Sequence, residues 1–258
     1  MRRFLGAIAA VAAMSVVPAC GSDNGDDAAD TPEEVTLTVF AAASLTDTFT
    51  QLGEQFEADN EGVSVEFNFA GSSDLVAQIQ NGSPADVFAS ADEKNMTKAT
   101  DDDLVDGEPQ LFAANTLQIV TPPGNPKGIE SFDDLAGDDV TLVICAPEVP
   151  CGAATKTVEE NTGVTLSPAS EESAVTDVLA KVTSGEADAG LVYITDAVGA
   201  GDAVESISFP EAAEAVNDYP IATLANSEHG DIAQRFVDFV LSDEGQEVLG
   251  EAGFVRPE

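Results

Sequence analysis

The chain has 258 residues, enough for one large or two modest domains. Its 48 acidic side chains against 9 basic ones give a formal charge of −39. That balance excludes a nucleic-acid partner, which requires a basic footprint for the phosphate backbone.

At the N-terminus, Arg2 and Arg3 precede an apolar run from Phe4 to Val17, followed by Val17-Pro18-Ala19-Cys20. Residues 1–19 are predicted to be a signal peptide with a small-residue cleavage site. The site resembles the bacterial lipobox, which implies cleavage before Cys20 and lipidation of that cysteine. The apolar run is short for a membrane span. Residues 20–34 carry Gly, Ser, Asp, Asn, Ala, Pro and Glu without a large apolar residue up to Glu34, a composition expected of a disordered tether.

A strand is predicted over 35–41, where Val35, Leu37, Val39 and Phe40 are apolar, and a helix over 45–58, where Leu45, Phe49, Leu52 and Phe56 recur at helical spacing. The alternation of Val63, Val65, Phe67 and Phe69 predicts a second strand, 63–69, followed by a helix over 73–81. A strand at 86–89, a helix at 92–99 and a strand at Leu117 to Val120 come next. Thr121-Pro122-Pro123-Gly124 then suggests a crossing between lobes. Beyond it the pattern predicts a short helix at 131–135, a strand at 140–145 and helices at 152–161 and 173–183. Strands at 189–194, 204–209 and 219–224 follow, and helices at 230–241 and 243–251 close the chain. Strands alternating with helices predict an α/β fold with mainly parallel sheets in two lobes. Lobe I is expected over 35–118 plus about 222–258, and lobe II over about 119–221. The second lobe is expected to repeat the pattern of the first, and the terminal helices to pack on the first.

Two strand-to-helix turns carry the chemistry. Ala41-Ala42-Ala43-Ser44 ends the first strand and Ala70-Gly71-Ser72-Ser73 ends the second. The open N–H groups and positive dipole end of a helix N-terminus favour an anion, and small residues admit it close to the backbone. Serine is also a common helix cap. Two such turns after successive strands, however, lie together at the carboxyl edge of a sheet, where α/β folds bind ligands. With so few cations, an anion would have to be held by neutral dipoles at short range. Cys145 and Cys151 are an even pair in an oxidising compartment, placed to form a disulfide or to remain two thiols. A metal site is disfavoured by the single His229 and the absence of C-x-x-C spacing.

Four ordered motifs, Phe40-Ala-Ala-Ala-Ser-Leu45, Phe69-Ala-Gly-Ser-Ser73, Gly82-Ser-Pro-Ala-Asp-Val-Phe-Ala-Ser-Ala-Asp92 and Gly190-Leu-Val-Tyr-Ile-Thr-Asp196, resemble the molybdate-binding proteins of bacterial molybdate ABC importers. The resemblance runs from about residue 35 to the C-terminus. It implies a type II periplasmic-binding-protein fold with a ligand cleft between two α/β lobes. It implies a tetrahedral dianion, molybdate or tungstate, as ligand, with no cofactor and no catalysis. The contacts it implies are Ser44, Ser72, Cys151, Val175 and Tyr193. Ser44 and Ser72 would give hydroxyl and backbone donors, Cys151 and Val175 backbone N–H groups, and Tyr193 its phenol. Cysteine at 151 departs from the small residue usual there; a Cys145–Cys151 bridge could hold its N–H in place. The implied partner is the membrane permease of an ABC importer. A monomer is expected, at the extracellular face of the cell membrane through its lipid anchor, or periplasmic.

Two other readings are weighed against this one. The same fold could bind sulfate, phosphate or a small organic anion. A secreted serine hydrolase would need a G-x-S-x-G elbow, which is missing, and would have His229 as its sole candidate base.

Overall fold

The computed structural model describes residues 34–257. The predicted signal peptide, the lipidated Cys20 and all of the tether but Glu34 lie outside the described residues. Among the described residues no helix is long and apolar enough to cross a membrane.

The chain begins with β1 (Val35–Ala42), a 3-10 turn (Ala43–Leu45) and α1 (Thr46–Asp59), then β2 (Val63–Ala70), α2 (Ser72–Gln80), β3 (Val87–Ala89) and α3 (Glu93–Asp101). Two long extended segments follow almost without a break, β4 (Val105–Asn115) and β5 (Leu117–Thr121). Next come β6 (Leu142–Cys145), α4 (Pro150–Thr162), β7 (Ser170–Glu172), α5 (Val175–Thr183), β8 (Ala189–Tyr193), α6 (Ile194–Ala200) and β9 (Glu205–Ile207). The chain ends with β10 (Asn217–Leu224), α7 (Gly230–Leu241) and α8 (Asp243–Glu251).

The strands form two five-stranded sheets, ordered β2-β1-β3-β10-β4 and β7-β6-β8-β5-β9. The second copies the first. In each, three parallel strands are followed by a fourth antiparallel to them and a fifth antiparallel to the fourth. The sheets are therefore mixed, the antiparallel members being the strands on which the chain changes sheets. The first crossing is at Thr116, between β4 and β5, and not at the Pro122-Pro123-Gly124 turn. That turn follows β5, which already belongs to the second sheet. The expected return at about 222 falls inside β10, all of which pairs within the first sheet.

Packing follows from the apolar patterns. Phe49, Leu52 and Phe56 of α1 meet Phe236 of α7 and Leu249 of α8 on one face of the first sheet. Leu75 and Val76 of α2 and Met96 of α3 cover Phe40 and Phe88 on the other. Val158 of α4 and Val178 and Val182 of α5 join Ile119, Val143 and Leu191 in the core of the second sheet. The terminal helices thus pack on the first sheet.

Three elements escape the sequence pattern. In β4 the stretch Asp106-Gly107-Glu108-Pro109-Gln110 is polar because β4 is an edge strand, where proline and exposed polar residues are tolerated. The edge strand β7 has only Ser170, Glu171 and Glu172. Helix α6 starts at the residue after β8, with no punctuating residue between them.

Cys145 and Cys151 form a disulfide, with Cα atoms 5.7 Å apart. It joins the end of β6 to the first turn of α4. Gly152 follows because a Cβ there would lie 2.0 Å from the Ala146 carbonyl oxygen. Replacing both cysteines by serine should lower stability by about 2 kcal/mol through the lost loop constraint, and urea unfolding measures it. Equal midpoints in the wild type and the double variant would contradict a stabilising bridge.

Candidate oxyanion site

The carboxyl ends of the parallel strands of both sheets face one cavity. From the first sheet come Ala42, Ala43 and Ser44 after β1, Gly71 and Ser72 after β2, and Ala91 after β3. From the second come Val149, Pro150 and Cys151 after β6, Val175 after β7 and Tyr193 at the end of β8. The five residues singled out from the sequence therefore line a single space. No side chain in its wall is charged. The enclosed volume is about 10 Å³, roughly that of one water probe, so the two halves are closed tightly upon each other.

The closure depends on Gly71. A Cβ at this position would lie 2.0 Å from the carbonyl oxygen of Ser173, which precedes α5 in the other half. Only glycine lets the first turn of α2 approach the first turn of α5 this closely.

The residues of the wall carry several hydrogen-bond donors. The N–H groups of Asp74 and Leu75 return to the Gly71 carbonyl, and those of Ser72 and Ser73, in the first turn of α2, have no intrahelical acceptor. Cys151 and Val175 occupy the corresponding first turns of α4 and α5. The side chains of both are buried in the second core, so what they offer the cavity is backbone. The Ser72 side chain is buried, and its Oγ accepts the Ala91 N–H at 3.0 Å. An N–H can only donate, so the Ser72 proton is free for the cavity. The Ser44 Oγ lies 3.0 Å from the Tyr219 hydroxyl.

Tyr193 is 1 % exposed, and its hydroxyl has no hydrogen-bond partner among the described residues. A buried phenol normally finds a partner, so this oxygen stands out. Burial, with the neighbouring Tyr219 and the Asp92 and Asp196 carboxylates, pushes its pKa well above the ordinary tyrosine range. The phenol is therefore a neutral donor. Its backbone N–H donates to Asp196 Oδ2 at 2.9 Å, which caps α6 and anchors the tyrosine.

Neither Tyr219, Ala91, Asp196 nor the steric role of Gly71 was identified from the sequence. The available signal was faint: Tyr219 is one of only two tyrosines in the chain. The lone His229 lines a different cavity, beside Thr36, Asp86 and Glu228 near the opposite ends of the strands. Neither Ser44 nor Ser72 shares that wall with it.

The model of the bacterial extracellular solute-binding proteins matches residues 37–255. The chain belongs to that family. It is 48% identical over 241 residues to the molybdate-binding protein ModA of Mycobacterium tuberculosis, covering 93% of this chain and 92% of the relative. Its identity to the Escherichia coli ModA is 33%, over 86% and 90% of the two chains. Among solved structures, the periplasmic molybdate-binding protein of Azotobacter vinelandii superposes with a TM-score of 0.76 at 24% identity, covering 86% of this chain and all of that one. The sulfate-binding protein SubI of M. tuberculosis superposes with a TM-score of 0.77 at 20% identity, over 87% and 88% of the two chains. At these identities the superpositions establish the fold, that of the type II periplasmic binding proteins. The family comprises extracellular solute-binding proteins rather than enzymes.

Two outcomes follow from the site. Gly71→Ala should prevent full closure, seen as a larger scattering radius than the wild type in the absence of anion; identical radii would contradict the contact. Burial holds the partly buried Asp196 carboxyl up at about 7, with the Tyr193 N–H opposing and the Asp47 carboxylate across the cleft adding to the rise. The folded chain keeps a proton that the unfolded chain releases near the ordinary value of about 4. Stability therefore falls as pH rises from about 4 to about 7 and levels off above. Asp196→Asn should remove that component, raising Tm at pH 8 relative to wild type but not at pH 4. An unchanged difference between the two pH values would contradict it.

Proposed function

We propose that this protein captures molybdate or tungstate outside the cell and delivers it to the permease of an ABC importer. The observation that carries the reading is a buried, uncharged cavity walled by hydrogen-bond donors, with the Tyr193 hydroxyl unpartnered within it. A fully deprotonated tetraoxyanion is all acceptor, and it complements such a wall. Protonated phosphate brings a donor for which the wall offers no carboxylate. The 48% identity to a protein named for molybdate binding supports the choice of ligand.

In this reading the Ser44 and Ser72 hydroxyls, the Tyr193 phenol and the first-turn N–H groups of α2, α4 and α5 hold the anion. Hydrogen bonds to a charged group contribute about 1.5–3 kcal/mol each. Several of them can reach a sub-micromolar Kd, about −8 kcal/mol or tighter, after the costs of ordering. The closed cavity is smaller than a tetraoxyanion, so the lobes separate about Thr116 and the segment between β9 and β10 to admit it, and close on it less fully than in the structure. The disulfide keeps the Cys151 N–H in position. The N-terminal segment, lipidated at Cys20, would tether the domain to the membrane surface, and the protein would act as a monomer without a cofactor or catalysis.

Calorimetry with molybdate, tungstate, sulfate and phosphate tests the reading. Molybdate and tungstate should bind tightly and sulfate and phosphate weakly. Ser44→Ala and Ser72→Ala should each cost about 1–2 kcal/mol. Absence of molybdate binding, or sulfate binding as tight as molybdate, would refute the assignment.

A further inference from the structure

Both tyrosines of the chain are buried beside the cleft, their ring centroids 6.0 Å apart and edge to face. Tyr219 comes from β10, the strand on which the chain returns to the first sheet, and it does not line the cavity. Phe112 and Phe254 meet its ring edge-on at centroid distances of 6.1 and 5.4 Å. These aromatic walls fix the direction of the phenol. Its hydroxyl lies 3.0 Å from Ser44 Oγ, and the Asn115 and Tyr193 side chains are its other polar neighbours.

The protons in that bond can be arranged in two ways. If Ser44 donated, the Tyr219 proton would have to turn to Asn115 or Tyr193, whose side chains approach the phenol oxygen as donors, and the serine would face the cavity without a proton to give. If Tyr219 donates, every proton has a destination. The phenol proton rests on Ser44 Oγ, and the serine proton turns to the cavity. Burial raises the Tyr219 pKa far above the ordinary tyrosine range, so the phenol keeps the proton it gives. The arrangement at Ser72 is the same in kind, with the Ala91 N–H donating to Oγ from behind.

We infer that Tyr219 is a positioning residue for the anion site, donating to Ser44 Oγ so that the serine faces the bound oxyanion as a donor. The inference rests on the assignment of Ser44 to the oxyanion under the proposed function. A chain of donors running from Tyr219 through Ser44 to the anion also polarises each bond in turn. With no cation in the wall, such a relay strengthens the site without adding charge.

The test is the molybdate Kd, by calorimetry, of the wild type, Tyr219→Phe, Ser44→Ala, Ser72→Ala and the two double variants containing Tyr219→Phe. Phenylalanine keeps the ring and its aromatic contacts, and a thermal melt checks that the fold is retained. Tyr219→Phe should weaken binding about tenfold. That effect should vanish in the Ser44→Ala background and persist in the Ser72→Ala background. Equal effects in both backgrounds would mean that the ring acts through packing alone, and would overturn the inference. So would a neutral Tyr219→Phe beside a weakened Ser44→Ala, with the site assignment left standing. A neutral Ser44→Ala in a protein that binds molybdate would instead remove Ser44 from the site and the inference with it.

Discussion

Where the Gly71 backbone meets the Ser173 carbonyl, two sheets that share no strand come within backbone contact of each other. That approach brings the first turn of α2 against the first turn of α5. The first turn of α4 joins them through the bridge from Cys145 to Cys151. Three helix N-termini, each with unspent N–H groups and a positive dipole end, then point at a space too small for bulk water. The topology makes this possible. Both sheets are built to the same order, so the carboxyl edges of both sets of parallel strands can face the same cleft.

The electrostatics of the chain constrain how such a space can work. A formal charge of −39 repels an incoming dianion at long range. Screening limits that repulsion to roughly 8 Å at physiological ionic strength. Inside the cleft there is no arginine or lysine to answer it. What remains is a set of neutral donors fixed in advance by the fold. Ala91 directs Ser72, Tyr219 stands behind Ser44, and Asp196 anchors Tyr193 by its backbone. Donors oriented from behind need little reorganisation when an anion arrives, and burial strengthens each bond they make.

The sequence discloses those parts of this arrangement that have a local signature. The alternation of Val63, Val65, Phe67 and Phe69, and the small-residue turns before Ser44 and Ser72, lie within a few residues of the features they predict. The strands and helices other than β4, β7 and α6 were legible for that reason. The crossing at Thr116 was not, because a chain passing from β4 to β5 without a turn leaves no glycine or proline to mark it. The Pro122-Pro123-Gly124 turn was the more conspicuous signal, and it belongs to the loop after β5. The edge strands β4 and β7 are polar because one side of each faces solvent. Val175 lines the cavity with its side chain turned into the second core, so no side-chain pattern could have pointed to it, and only the family resemblance did. Tyr219 stands 175 positions from Ser44, a pairing that exists only once β10 has folded back into the first sheet. Gly71 reads in sequence as a residue that admits close approach to the backbone, and the carbonyl in the other lobe that makes that approach appears only in the fold.

The central claim is that one oxyanion is bound by uncharged donors contributed by both lobes. Crystals grown with molybdate and measured near the molybdenum absorption edge test it most directly, because the anomalous signal locates the metal atom without reference to the protein. The account predicts a single peak between the two sheets, with oxygens bonded to the Ser44, Ser72 and Tyr193 hydroxyls and to the N–H groups of Cys151 and Val175. A peak beside His229 and Asp86, or one held by the residues of a single lobe, would contradict it.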